Sequence, residues 1–457
     1  MSIVSIPFLL IAVVTTLLLR SERWQANRAR ILTLASVAFV AGATASVGDA
    51  LCLAAMTATG WIAIRLVTVR KNTPLLASAI VLVIAAFLAS RQILPGVDVP
   101  PWLAVGPTIG LSYVMFRILH LIVDAHGGEL PDRLRPRDYV CYLFCYLTFL
   151  AGPLQRFPEF TASLDAPSPE VPRIELRDGL PTIALGYLKF TAIAGLFFTV
   201  FLQAQTPPSW CPGPVAVAAS VLGFALYLYA SFSGYTDVVR GIGRLARLDL
   251  PANFDRPFLA SDFLDFWSRW HISLSDWFKL YVFNPLVKAL IAVNVRPALV
   301  PYIGVLGFFV TFLLMGLWHG VSERFALYGL VLGGGVSANK LYQVLALRRL
   351  GRRPYNALVA RPLYAAVARG LAVAYFALAL GFLWAIAPSS LEDMAHWAGA
   401  TVIVFIVVTI LCALAAKFPA SPPALPRDLV SVGAIAIVLA YLFTTQGVAP
   451  PLVYTFF

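Results

Sequence analysis

Two of the five histidines in this chain stand where an imidazole is costly, and they are the natural starting point for chemistry. His319 closes the run "GVLGFFVTFLLMGLWHG", an otherwise apolar segment, with Gly316 and Gly320 close by in sequence. His271 lies in "FWSRWHISLSDWF", residues 266–278, which sets Trp267, Arg269, Trp270, Ser273, Ser275 and Asp276 around it. The stretch just upstream, "NFDRPFLASDFLDF", adds Asp255, Arg256, Asp262 and Asp265. An ionisable side chain at membrane depth is expensive and marks a pathway or a site. Imidazole is also the side chain whose ordinary pKa suits a general base near neutrality. Plainer readings exist for both: a histidine hydrogen-bonded inside a helix bundle, and an interfacial aromatic belt with a snorkelling arginine. Four carboxylates and two arginines between Asp255 and Asp276 exceed what a belt needs and point to paired networks shaping a cavity. Glycines beside His319 would let either a substrate or another backbone come close. No Ser, Cys or Asp stands in a nucleophile elbow or triad pattern. Acyl transfer from a thioester needs none, because the donor is already activated and a base acting on the acceptor hydroxyl suffices.

The remaining histidines read differently. His126 in "AHGGELPDR" and His396 in "LEDMAHW" are expected in solvated loops, and His120 near a cytoplasmic helix end, snorkelling. The five scattered cysteines have no metal-ligand spacing and read as apolar filler, so no metal site is expected.

The elements that must hold these residues are membrane helices. The 457 residues are 60% hydrophobic and only 12% charged, with mean hydropathy +0.82. A soluble domain is about 45–50% apolar and about 25% charged. The composition therefore predicts an all-α polytopic membrane protein with no long soluble domain. Apolar segments able or nearly able to span a bilayer run over Val4–Leu19, Ile31–Val47, Leu51–Val67, Leu75–Ala89, Trp102–Val123, Pro181–Leu202, Pro214–Phe232, Leu299–Trp318, Leu363–Ile386, Thr401–Ala416 and Leu429–Phe443. Val140–Ala151 and Phe325–Val336 are short, with re-entry or tilt expected, giving roughly eleven to thirteen segments. Val4–Leu19 has no basic region before it and no small-residue cleavage site after it, which reads as a retained helix. Leu248–Trp277 is too polar to span and too aromatic for an open loop. It is expected as re-entrant or interfacial short helices, tolerated at membrane depth only when surrounded by protein or lining a wet cavity.

The net charge of +12 fits arginine and lysine gathered on cytoplasmic loops better than nucleic-acid binding. Basic clusters at Arg20–Arg30, Arg65–Lys71, Arg133–Arg137 and Arg348–Arg361 alternate with the less basic loops Arg91–Pro101 and Pro388–Trp397. Alternation puts both termini outside the cytoplasm, and the basic inner face would receive an acidic soluble partner. On these residues alone an envelope enzyme and a transporter or flippase stand level, with a non-catalytic scaffold as a third reading.

The motifs together resemble the membrane-bound O-acyltransferase family. "NFDRPFLASDFLDFWSRWHISLSDWF" followed one apolar helix later by "GLWHG" carries the resemblance, and "LYASFSGYTDVVRGIGRL", "LIVDAHGG" and "FLAGPLQRFPEF" agree with it, over roughly Tyr113–Asn339. The bacterial branch that acylates secreted polymers is the most similar. The resemblance implies a helical bundle around a trans-bilayer funnel or tunnel. It divides the chain into N-terminal transmembrane helices (1–124), a catalytic core (125–345) and C-terminal transmembrane helices with an extracytoplasmic tail (346–457). It implies a bacterial inner-membrane location, a donor presented from the cytoplasm and a hydroxyl acceptor outside. By the same resemblance His319 is catalytic and His271 the second functional histidine. Trp267, Arg269, Trp270 and Ser273 would then line the donor side.

Acetylating relatives usually continue with "YIPLGGNR", whereas this chain has "YVFNPLVKAL". That departure leans toward D-alanyl transfer from the phosphopantetheine thioester of an acyl carrier protein, with acetyl-coenzyme A as the alternative donor. No permanently bound cofactor is implied. The acceptor is an extracytoplasmic polymer or a downstream acyltransferase. In the D-alanylation system a small single-span partner ends in a short aromatic-or-leucine, tyrosine, phenylalanine motif. Leu452, Tyr454 and Phe457 of the "PLVYTFF" tail resemble its spacing. Tyr454 is accordingly expected to carry the acyl group in transit; an interfacial anchor is the plainer role for the tail.

Overall fold

The computed structural model describes residues 3–44, 46–90, 110–131, 134–165, 174–293, 296–320, 322–384, 390–415 and 432–438. The first half contains α1 (Ile6–Arg20), α2 (Arg28–Ala43), α3 (Val47–Val69), α4 (Thr73–Ser90), α5 (Leu111–Gly127), α6 (Pro136–Phe144), α7 (Phe157–Asp165), α8 (Ile174–Leu188), α9 (Ala194–Gln205) and α10 (Gly213–Leu245). The second half contains α11 (Phe263–Arg269), α12 (Ile272–Phe278), α13 (Asn284–Ala292), α14 (Val300–His319), α15 (Glu323–Leu350), α16 (Arg352–Val359), α17 (Pro362–Trp384) and α18 (Leu391–Ala415). Single π turns join α8 to α9 and α12 to α13. Apart from one isolated antiparallel bridge, Phe254 to Trp270, the described elements are all helical.

Among the described residues seven helices are long and apolar enough to cross a membrane, and α1 is a shorter apolar one. The chain is thus an all-α, multi-pass membrane protein. Local chemistry sets the helix ends. Ser46 and Asp49 close a reciprocal capping box on α3, with the Asp49 amide donating to Ser46 Oγ at 3.0 Å and the Ser46 amide to Asp49 Oδ2 at 3.1 Å. Two expected segments come out differently. Phe325–Val336 is the first half of the 28-residue α15, because its glycines pack it flush on α14 over a longer run than its hydropathy suggests. Residues 391–397, expected in an outer loop, already form the first turns of α18, started by a Ser390–Asp393 pair. Of Leu429–Phe443 only 432–438 is described, and it is helical.

Buried arginines knit the bundle. Arg28 donates to the carbonyls of Leu19, Leu164, Ala246 and Arg247, and Arg20 to that of Leu245. These carbonyls lie at the ends of α1, α7 and α10. They are the orphan acceptors every helix C-terminus leaves. Arg117, 1% exposed, does the same inside the bundle. Its guanidinium donates to the carbonyls of Tyr142, Leu143 and Thr148 and to Thr148 Oγ1 at 2.6 Å, holding the turn where α6 stops. Arg117→Met keeps most of the volume but strands these acceptors. Leaving a buried carbonyl acceptor without its donor costs about 1–3 kcal/mol. Denaturant unfolding in mixed micelles should show the loss directly, and an unchanged midpoint would mean the turn holds without the guanidinium.

Candidate active site

The polar aromatic stretch folds as two short helices on either side of a hinge, and the hinge is His271. Asp262 caps α11, accepting from the Leu264 and Asp265 amides at 2.9 and 3.0 Å. Arg269 ends that helix, paired to Asp265 at 2.8 Å four residues back. Burial disfavours the charge on Asp265, but the Ser261 amide and Arg269 outweigh it and hold the carboxyl below the usual carboxylate range. Trp270 is then extended, and His271 takes a left-handed conformation, φ 45°, before α12 begins. That backbone is rare for a non-glycine residue and persists only where its surroundings fix it. Asn253, fully buried, supplies the fixing. Its carbonyl accepts from the Ile272 amide at 3.0 Å, and its Oδ1 accepts from the Ser273 amide at 3.2 Å and from Ser273 Oγ at 2.6 Å. The Asp255 amide donates to the Arg269 carbonyl at 3.0 Å, completing the bridge between the "NFD" and "RWH" motifs.

His319 arrives from the other side, on the last turn of α14. There α14 and α15 meet through glycines: a Cβ on Gly316 would stand 2.3 Å from Gly329 Cα, and one on Gly329 would stand 2.8 Å from the Leu313 carbonyl. Of the two uses open to Gly316, the structure shows the approach of another backbone. The His319 imidazole lies against Tyr328 and Phe325, with ring centroids 5.7 and 6.2 Å away. His271 and His319 line one cavity of about 40 Å³, walled also by Phe232, Trp270, Met315 and Tyr328. Trp267 and Met315 separate it from a larger cavity of about 270 Å³, whose lining includes Asp276, Lys279, Ser268 and Phe308. The indole Nε1 of Trp267 is buried and has no hydrogen-bond acceptor among the described residues. The arrangement offers a base and a second imidazole on a small, mostly apolar cavity, with a buried indole N–H in the wall it shares with a larger one.

Four of the residues singled out in the sequence therefore meet: His271, His319, Trp267 and Trp270. Two do not. Arg269 turns away to Asp265 and Asp255, and Ser273 is occupied by Asn253 and the Leu154 amide, so both brace the hinge rather than face the cavity. Tyr454 lies outside the described residues. His120 does not snorkel. It is 1% exposed, 2.8 Å from Tyr142 Oη through Nε2 and stacked on Tyr281, because α5 is surrounded by protein here. His126 is half-buried in the last turn of α5, and His396 is half-buried on α18, its ring packed where Gly213 leaves room. Asn253 stands in the "NFD" motif, but an uncharged amide beside two charged residues gives no sign in the sequence that it braces the hinge. Phe232, Met315 and Tyr328 carry no chemical signal and could be found only by proximity. The landmarks "LIVDAHGG" and "FLAGPLQRFPEF" also meet: Arg156 bonds Asp124 at 3.1 Å and Glu129, and Tyr281 donates to Asp124 at 2.9 Å.

A family model described as the membrane-bound O-acyltransferase family matches residues 125–378. The chain belongs to this family. Teichoic acid D-alanyltransferase of Bacillus subtilis (strain 168) is 30% identical over 226 residues, 49% of this chain and 56% of that protein. The enzyme of the same name from Streptococcus thermophilus is 29% identical over 242 residues, covering 50% and 56%. A probable alginate O-acetylase of Pseudomonas fluorescens is 27% identical over 221 residues, covering 48% and 42%. The match spans about half the length of these curated relatives. As a member of the membrane-bound O-acyltransferases, the chain keeps the two histidine motifs inside the matched region and on one cavity.

Proposed function

We propose that the chain is a membrane O-acyltransferase that moves a small acyl group, D-alanyl by preference, from a cytoplasmic thioester to a hydroxyl of an extracytoplasmic envelope polymer. The observation that carries this reading is that His271 and His319, 48 residues apart in sequence, line a single cavity that shares the walls Trp267 and Met315 with a larger one. The larger cavity suits a slender pantetheine arm, with the thioester carried past Trp267 to the histidines. His319 accepts the proton of the acceptor hydroxyl as that oxygen attacks the thioester carbonyl. The C–S bond then breaks, and the proton passes to the departing thiolate. The Trp267 N–H, buried in the wall of that cavity without a partner among the described residues, is the donor proposed for the carbonyl oxygen as it gains charge. Among the relatives, the first two are named for D-alanyl transfer and the third for acetylation, which supports D-alanyl as the preferred group and acetyl as the alternative.

Proteoliposomes given carrier-bound D-alanyl thioester on the basic face should consume it only when an acceptor is present on the other. Uptake of substrate without thioester consumption would instead make the protein a transporter. Because the basic clusters would receive an acidic carrier, binding should weaken several-fold between low and physiological salt, where the Debye length shortens to about 8 Å. Full turnover from acetyl-coenzyme A with no carrier binding would replace the carrier by the soluble thioester.

A further inference from the structure

We propose that the Tyr328 hydroxyl is a further catalytic group of the histidine cavity, donating a hydrogen bond to the thioester carbonyl oxygen of the bound acyl donor. The inference rests on the acyl-transfer reading of that cavity and adds a residue to it. Tyr328 sits on α15 beside Gly329, whose contact with Gly316 sets the spacing between α15 and α14. Its ring lies edge-on to the His319 imidazole, with centroids 5.7 Å apart and planes at 69°. Phe325, three residues earlier on the same helix face, stacks on that imidazole at 6.2 Å and 21°. It does so in space that a Cβ on Gly320 would fill, 2.3 Å from Phe325 Cε2. The two rings clamp His319 from one helix, and Phe325 shows that such a clamp needs no oxygen.

The hydroxyl is the part that packing leaves unexplained. Tyr328 is 4% exposed, lines the cavity with both histidines, and makes no hydrogen bond to any described residue. Other buried or half-buried phenols of the bundle are paired. Tyr142 donates to the Gln155 carbonyl, Tyr235 to the Leu147 carbonyl at 3.2 Å, and Tyr375 to the Val331 carbonyl at 2.6 Å. A buried hydroxyl left unpaired costs free energy that phenylalanine at the same place would not. On the wall of a cavity that admits a reacting carbonyl, its partner is what enters. A phenol keeps its proton at neutral pH, so it serves here as a donor and not as a base. As the acceptor oxygen attacks, the carbonyl electron pair moves onto oxygen, and the Tyr328 O–H stabilises it there. The pair returns as the C–S bond breaks, His319 passes the acceptor's proton to sulfur, and the phenol keeps its own proton throughout. Tyr328 acts beside Trp267, which lines the same cavity.

The test uses the full chain in proteoliposomes. Tyr328→Phe keeps the ring clamp and deletes one oxygen. It should lower kcat by about 10²–10³-fold, the usual effect of losing an oxyanion donor, with the donor KM little changed. The melting temperature should equal or exceed that of the unmodified chain, because no protein hydrogen bond is lost. A packing role would reverse the pattern: a lower melting temperature with kcat within a few-fold of normal would overturn the proposal. A direct readout is infrared spectroscopy of the bound methyl-ketone analogue of acetyl-pantetheine, isotope-labelled at the carbonyl and with CH₂ in place of sulfur. Its carbonyl stretch should lie at lower frequency in the unmodified chain than in Tyr328→Phe. It should move lower still when a ring-fluorinated tyrosine, a stronger donor of nearly the same shape, replaces Tyr328. One stretch frequency shared by all three proteins would assign the hydroxyl to something other than the carbonyl and overturn the proposal. If the unmodified chain consumes no thioester at all, the acyl-transfer reading falls and the proposal with it. An active unmodified chain with an equally active Tyr328→Phe variant removes the proposal alone.

Discussion

His319→Ala should lower acyl transfer by about 10²–10⁴-fold, the usual worth of a positioned general base or acid, while folded protein still reaches the membrane. The imidazole is half-buried at the end of α14, and the contact that fixes α14 against α15 lies a turn earlier at Gly316 and Gly329. Removing the ring therefore enlarges the cavity it shares with His271 without undoing the helix pair. Thermal stability and detergent gel-filtration profile should stay near those of the unmodified chain, and carrier binding should persist, because the basic clusters are untouched. Turnover within a few-fold of normal would remove His319 from the proton-transfer step and revive the scaffold reading, which predicts tolerance at this position. A variant that fails to accumulate would be read through His319→Gln, which keeps a polar planar group in the cavity but cannot act as a base.

Tyr454→Phe should abolish polymer acylation, and of all the substitutions considered it deletes the least: one phenolic oxygen. The expectation rests on the spacing of Leu452, Tyr454 and Phe457 and on the proposed chemistry, in which the Tyr454 oxygen takes the acyl group and passes it on. A phenol with an ordinary pKa near 10 needs a base to attack a thioester, and His319 would supply it. The two variants should then fail at the same step. With donor present and acceptor absent, mass spectrometry of the C-terminal peptide should find one added acyl group on Tyr454 in the unmodified chain and none in His319→Ala. An unmodified peptide, together with full polymer acylation by Tyr454→Phe, would return the tail to the role of interfacial anchor and leave direct transfer to the acceptor at the histidine cavity.

What the sequence by itself determined was what can be read from neighbours along the chain. Composition assigned the solvent, apolar runs located most of the helices, and the "RWH" and "GLWHG" motifs named the two histidines that share a cavity. Each of these signals is local, because helix formation and bilayer insertion are decided within about twenty residues. The tertiary structure decided where each polar side chain points, and that depends on partners far away in sequence. Ser273 was drawn to the donor side by its motif, yet its hydroxyl accepts from the Leu154 amide 119 residues distant and donates to Asn253. Arg28 and Arg117 read as ordinary charges until the helix ends they satisfy are brought to them, 136 residues away for Leu164 and 26 for Leu143. His120 looked able to reach water, and Tyr142 and Tyr281 enclose it instead. The physical reason is the same throughout: at membrane depth a buried donor or acceptor must find a protein partner, and the identity of that partner is a property of the packed bundle, not of the segment that carries the residue.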